Sequence, residues 1–192
     1  MGKIVKVEIS ARHIHISRQD LDILFGENYE LTKYKDLSQE GEFASNEKVD
    51  LISENGKIEG VRILGPVREK TQVELSLSDA RILKMSVPIR ISGDVENTPG
   101  IVLKGASGQV ILESGVIVAK RHFHCSEETA EELGLKIGDN VKVKIESIRS
   151  LVFDNIEVRI EKNFNDAVHL DTDEGNACTI DGVCVSGEIV EN

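Results

Sequence analysis

Cations are scarce in this 192-residue chain, where 23 lysines and arginines stand against 34 aspartates and glutamates for a formal net charge of −11. Binding a nucleic-acid backbone requires a basic stripe, so this balance argues against a broad nucleic-acid surface. A small anionic ligand would have to be held by local cations instead. Cysteine is also rare: Cys125, Cys178 and Cys184 show neither zinc-knuckle nor Cys-x-x-Cys spacing. Their odd number argues against a secreted disulfide framework, so a reducing compartment is expected. No apolar run approaches the roughly 20 residues needed to span a bilayer, so no membrane association is expected. Met1-Gly2-Lys3-Ile4-Val5 leads straight into a strand with no apolar signal region, which makes the cytoplasm the expected location.

Long helices are missing as well. Helical patterning is confined to about Arg18 to Leu24, Leu77 to Leu83 and Glu127 to Leu133. The rest reads as short strands, among them Lys3 to Ile9, Lys48 to Ser53, Ile58 to Leu64, Gln72 to Leu77, Val87 to Ile91 and Gly100 to Leu103. Further on come Gln109 to Leu112, Gly115 to Lys120, Asn140 to Ile145, Leu151 to Ile160 and Ala167 to Leu170. Turn signals such as Glu54-Asn55-Gly56 and Ile137-Gly138-Asp139 separate them. Many short strands punctuated by Gly and Asp predict a mainly β chain of β-barrels with short capping helices. The polar segment at about 27–46 reads as a long loop or excursion.

The five histidines are distributed unevenly. His13 and His15 form one His-x-His pair, His122 and His124 a second, and His169 stands alone. Side chains two residues apart on a strand project to the same face, so each pair can reach one ion. On a helix the same spacing would splay them by about 200°. β-branched residues lead into both pairs (Val5, Val7, Ile9; Val116, Ile117, Val118), which favours the extended form.

The pairs sit inside a longer repeat. Ser10-Ala11-Arg12-His13-Ile14-His15-Ile16-Ser17 aligns with Ala119-Lys120-Arg121-His122-Phe123-His124-Cys125-Ser126 at a constant offset of 109 positions, His13 to His122. Ser17 and Ser126 each read as the N-cap of a short helix with acidic residues in its first turn. Two copies of strand, His-x-His and capped helix suggest duplication and two domains of about 90 residues. Neutral imidazole suits zinc best, with iron, cobalt or nickel as alternatives. Five histidines are one too many for a single tetrahedral ion, so two metals, each with a further ligand, fit better. Spacing alone assigns no ligand role elsewhere. Asp171, Asp173 and Glu174 read as a solvated acidic turn, and alternation along Gln72 to Ser76 puts Glu74 on the face opposite Val73 and Leu75, toward solvent.

Five segments together resemble the phosphate propanoyltransferases, the propanediol-utilisation type phosphotransacylases. They are Ser10 to His15, Gly65-Pro66-Val67-Arg68 with Thr71 to Glu74, Pro88 to Asp94, Val118 to His124, and His169 to Glu174. The resemblance runs over nearly the whole chain in order. Departures are Cys125, where the family often has Met, and Gly175, where Ala is common.

The resemblance implies two β-barrels, the N-terminal strand completing the barrel of the C-terminal half. Domains would then be residues 1–11 with 120–192, and 12–119 with its excursion. It further implies two zinc ions per chain, one on His13, His15 and Glu74 and the other on His122, His124 and His169. Arg68 would be the catalytic, phosphate-binding arginine, and Ser10, Arg121 and Asn176 coenzyme A contacts. A homodimer is implied, and family members sent to bacterial microcompartments carry an N-terminal extension not seen here. The expected reaction is reversible conversion of a short-chain acyl-CoA, acetyl or propionyl, and phosphate to acyl phosphate and coenzyme A. A dizinc thioesterase or related hydrolase is one alternative. It would share the metals but need neither phosphate nor Arg68. A non-enzymatic barrel module is the other, since Leu133 to Asp139 followed by Val141, Val143 and Ile145 also suits a small DNA-binding barrel, against which the net charge speaks.

Overall fold

A computed structural model describes residues 2–180 and 184–190. The chain divides into two compact units, residues 1–11 with 120–192 and residues 12–119. It opens with β1 (Ile4–Ile9) of the first unit. The second unit follows as β2 (His13–Ser17), α1 (Arg18–Phe25), β3 (Lys33–Asp36), β4 (Phe43–Ile52), β5 (Lys57–Arg68), β6 (Gln72–Leu75) and α2 (Leu77–Ile82), then β7 (Ile89–Arg90), β8 (Ile101–Lys104), β9 (Gln109–Leu112) and β10 (Val116–Ala119). The chain re-enters the first unit with β11 (His122–Cys125), α3 (Glu127–Leu133), β12 (Asn140–Ile145), β13 (Leu151–Ile160), β14 (Ala167–Leu170), α4 (Thr172–Ala177) and β15 (Cys184–Val190).

The protein is mainly β, as its many short strands predict. In the first unit six strands close into a barrel in the order β1-β14-β11-β13-β12-β15. β1 is indispensable to that closure, lying parallel to β14 on one side and antiparallel to β15 on the other. Its alternation puts Val5 and Val7 into a core shared with Phe123, Val143, Ile156, Val158 and Val168. Each such side chain contributes about 1.5–3 kcal/mol relative to exposure.

In the second unit nine strands form a curled half-barrel sheet. Its order is β7-β10-β6-β2-β5-β4-β8-β9, with β3 paired to β4. Ile14, Ile16, Leu21, Leu24, Leu51, Ile63, Val73 and Leu103 fill its core. The segment at 27–46 contains β3 and the start of β4, not only loop. All four residues of β3 are exposed, so no alternation of polarity marks it in the sequence.

The helices are set by their caps. Ser17 Oγ accepts from the Asp20 amide at 3.1 Å, and Ser126 Oγ from the Thr129 amide at 3.2 Å. α3 stops where Gly134 adopts φ 65°, the left-handed conformation glycine takes without a Cβ penalty. α4 occupies the stretch that reads as an acidic turn. Asp171 is its buried N-cap and Glu174 completes a capping box, which uses the carboxylates as helix-starting groups. Among the described residues no helix is long and apolar enough to cross a membrane.

Candidate metal centres

β2 is buried on both faces. Ile14 and Ile16 point into the core, and the other face carries His13 and His15, each about one-twentieth exposed. The antiparallel neighbour β6 sets Glu74 directly opposite His13. The two Nε2 atoms lie 3.2 Å apart. Glu74 Oε2 is 3.5 Å from His13 Nε2, and its Oε1 is 3.7 Å from His15 Nε2. Burial, aided by the charges of His13 and Arg68, drives the His15 pKa down to about 2 against the pull of Glu74. The imidazole is therefore neutral, the form that ligates metals. Glu74 is not the solvent-facing residue that alternation predicts. β6 is buried on both sides, so polarity no longer reports which face meets water.

The first unit holds a second cluster of like construction. β14 runs antiparallel to β11 and sets His169 opposite His122. Ring centroids are separated by 4.6 Å for His122 and His124, 5.1 Å for His122 and His169, and 4.6 Å for His124 and His169. Lys120 O lies 2.9 Å from His122 Nδ1, which places the proton on that nitrogen and leaves the Nε2 lone pair for a ligand. His124 stacks on Phe164 at 4.2 Å. Sequence reasoning missed Glu8, whose Oε2 is 3.3 Å from His169 Nε2 and which lies beside His169 in the β1–β14 register. The available signal was the alternation of β1, since Val5 and Val7 face inward and Glu8 falls on the other face.

Each cluster thus gathers three ligand atoms that all lie within 4.8 Å of one another, from His13, His15 and Glu74 and from His122, His124 and His169. Crowding lone pairs of buried imidazoles and a carboxylate is costly for the bare chain, and a bound cation would offset that cost. Zinc fits this all-nitrogen and nitrogen–oxygen donor chemistry.

The structure extends the duplication beyond the His-x-His segments. Glu74 and His169, Ser76 and Asp171, and Asp79 and Glu174 are each 95 positions apart. Each triplet is a strand residue of a candidate cluster, the N-cap of the next helix and the third residue of its capping box. In both units an arginine preceding the histidine pair closes on that third residue. Arg12 pairs with buried Asp79, and Arg121 approaches Glu174 at 3.4 Å. β2 also has β5 as its parallel neighbour, just as β11 has β13. The sequence hides this second half because its residue types differ.

The other candidate residues fall within the two units. Arg68 ends β5, pairs with Glu42 at 2.8 Å, and lies close enough to His15 for its charge to depress that ring's pKa. Ser10, Arg121 and Asn176 all relate to α4: the Ser10 amide donates to Leu170 O just before its N-cap, Arg121 reaches Glu174, and exposed Asn176 lies in its last turn. Cys125 is buried in the barrel core, which pushes its thiol up to about 11 and makes it an apolar filler. Cys178 is likewise buried with a raised pKa, and the side chain of Cys184 lies outside the described residues. A Cβ at Gly175 would fall 2.2 Å from Ile9 Cδ1, so the δ-methyl of Ile9 occupies the space an alanine would use.

Comparison with known proteins identifies the family. The family profile described as phosphate propanoyltransferase matches residues 6–181. A phosphate propanoyltransferase of Thermotoga maritima is 50% identical over 175 residues, covering 91% of this chain and 83% of the relative. One from Leptotrichia buccalis is 48% identical over 172 residues, 90% of this chain and 82% of the other. One from Enterococcus faecalis is 47% identical over 173 residues, with the same coverage. With two equivalent histidine clusters on equivalent strands and relatives matched across nearly the whole chain, this protein belongs to the phosphate propanoyltransferase family.

Proposed function

We propose that this enzyme, a phosphate acyltransferase, exchanges a short acyl group between coenzyme A and phosphate, acetyl-CoA or propionyl-CoA being the acyl donor. His13, His15 and Glu74 hold one zinc ion and His122, His124 and His169 another. The observation that carries this reading is the repeated three-donor cluster, built twice on the same strand arrangement. When bound, zinc supplies Lewis acidity and an affinity for thiolate sulfur, which lowers the cost of the departing thiolate.

The reaction balances without a further co-reactant. A phosphate oxygen bonds to the thioester carbonyl carbon, the carbon–sulfur bond breaks with its electron pair on sulfur, and coenzyme A leaves as thiolate. Arg68 suits the phosphate role, because its planar fork can bind two oxyanion oxygens at once and its charge already acts on the His15 site. In the structure Glu42 engages that guanidinium, so phosphate replaces one carboxylate contact with a doubly charged one. Ser10, Arg121 and Asn176 are the proposed coenzyme A contacts, all linked to α4. A dizinc thioesterase would use the same clusters but would have no need for Arg68.

The deciding experiment follows release of coenzyme A thiol from acetyl-CoA and propionyl-CoA with and without phosphate. Thiol release that requires phosphate and yields acyl phosphate is expected. Equal release in its absence, with free acid as product, would replace the transferase by the hydrolase.

A further inference from the structure

Pro88 to Asp94 has no role in the chemistry above, yet its turn reaches the second unit's cluster. Gln72 is 4% exposed and lies two residues before Glu74 on β6, directly opposite His15 as Glu74 is opposite His13. The amide of Gly93 donates to Gln72 Oε1 at 2.7 Å. A backbone N–H can only donate, so this contact fixes which end of the Gln72 amide carries oxygen. The opposite end must therefore be the NH2 group. It donates to Glu74 Oε1 at 2.6 Å and to Ser92 Oγ at 3.0 Å. The bonds from Gly93 and to Ser92 are of ordinary length, the bond to Glu74 is shorter, and both N–H donors of the amide are used.

Resting on the reading of Glu74 as a metal ligand, we infer that Gln72, braced by the Ser92-Gly93 turn, is the positioning residue that sets Glu74 for metal binding. A carboxylate on a two-carbon stem has several rotamers, and a buried amide bond to one oxygen selects among them. Here Oε1 is engaged, and the same rotamer sets Oε2 3.5 Å from His13 Nε2. Partners of this kind outside the ligand set typically hold 10–100-fold of a site's metal affinity. The turn is part of the device because Gly93 has φ 100°, a conformation side-chain-bearing residues rarely adopt. The other unit cannot use the same arrangement. The residue 95 positions after Gln72 is Ala167, and the third ligand there is a histidine beside Glu8.

The test is a zinc titration of the full chain against a chromophoric chelator, comparing wild type with Gln72→Met and Gly93→Ala. Methionine keeps the side chain's length and removes its donors. Gly93→Ala strains the turn and leaves every side chain around Glu74 unchanged, which provides a second route if the first variant folds poorly. Wild type is expected to bind zinc at two sites. Each variant is expected to lose 10–100-fold in affinity at one site only, and the undiminished site on His122, His124 and His169 reports an intact fold. Wild-type affinity at both sites in both variants would overturn the positioning role and leave the metal reading standing. Equal weakening of both sites would also overturn it, as the sign of a general structural defect. Failure of wild type to bind zinc at all would overturn the metal reading itself, and this inference with it.

Discussion

At the scale of single residues, the proposed mechanism places its chemistry on two buried clusters and one arginine. If the clusters are the ligand sets, His13→Ala and His122→Ala should each reduce bound zinc from about two ions per chain to about one, read by elemental analysis. Retention of both ions in either variant would contradict the assignment. Arg68 has a different proposed role, as a partner for an oxyanion and not as a metal ligand. Arg68→Ala should raise the KM for phosphate about 10–100-fold, the worth of a lost charge-assisted pair, with zinc content unchanged. Glu42→Gln should shift the same constant the other way, because it removes the carboxylate that now holds the guanidinium. Steady-state kinetics at varied phosphate measures both. An unaltered phosphate KM in Arg68→Ala would take that residue out of the mechanism.

At the scale of elements, short helices lock the third member of each candidate cluster in place. Glu74 and His169 both stand two residues before an N-cap, so the capping box of α2 or α4 fixes the strand end beside the cluster. In α4 the acid of that box is compromised. Burial raises the Glu174 pKa above its usual value, with Asp171 adding repulsion, while the Asp171 amide and Arg121 pull the other way. A raised folded-state pKa means that stability is present in full below the unfolded value and is lost as pH rises through the folded one. Glu174→Gln keeps a hydrogen-bonding group in the capping box and has no charge to bury. Its melting temperature should exceed wild type at pH 7, and the difference should vanish below about pH 4, where both side chains are neutral. A constant difference at all pH values would assign the effect to packing.

At the scale of the whole molecule, the order of strands in space departs from their order in the chain. β1 is separated from its barrel partners by the entire second unit, yet it lies between β14 and β15 and contributes Val5, Val7 and Glu8. Deleting residues 2–10 should therefore open the barrel along two edges and abolish zinc binding at the proposed site on His122, His124 and His169. Metal analysis and circular dichroism on the truncated protein would show it. A truncated chain with two zinc ions and native melting would mean that the barrel closes without its first strand.

Local physics made much of this legible from the sequence. Alternation and β-branching located most strands, serine caps located α1 and α3, and the spacing of the histidine pairs placed each pair on one strand face. The family motifs named Glu74 and His169 as ligands, but the bare chain left Glu74 facing solvent and His169 alone. Those two positions were decided by tertiary structure. Register across β2 and β6, and across β11 and β14, brings residues about 60 and 47 positions apart into direct opposition, a distance relation that no local periodicity encodes. Burial of β6 on both faces, the roles of Gln72 and Glu8, and the capping function of Asp171 and Glu174 came from the same source. In each case a polar group's meaning depends on what the folded chain places beside it.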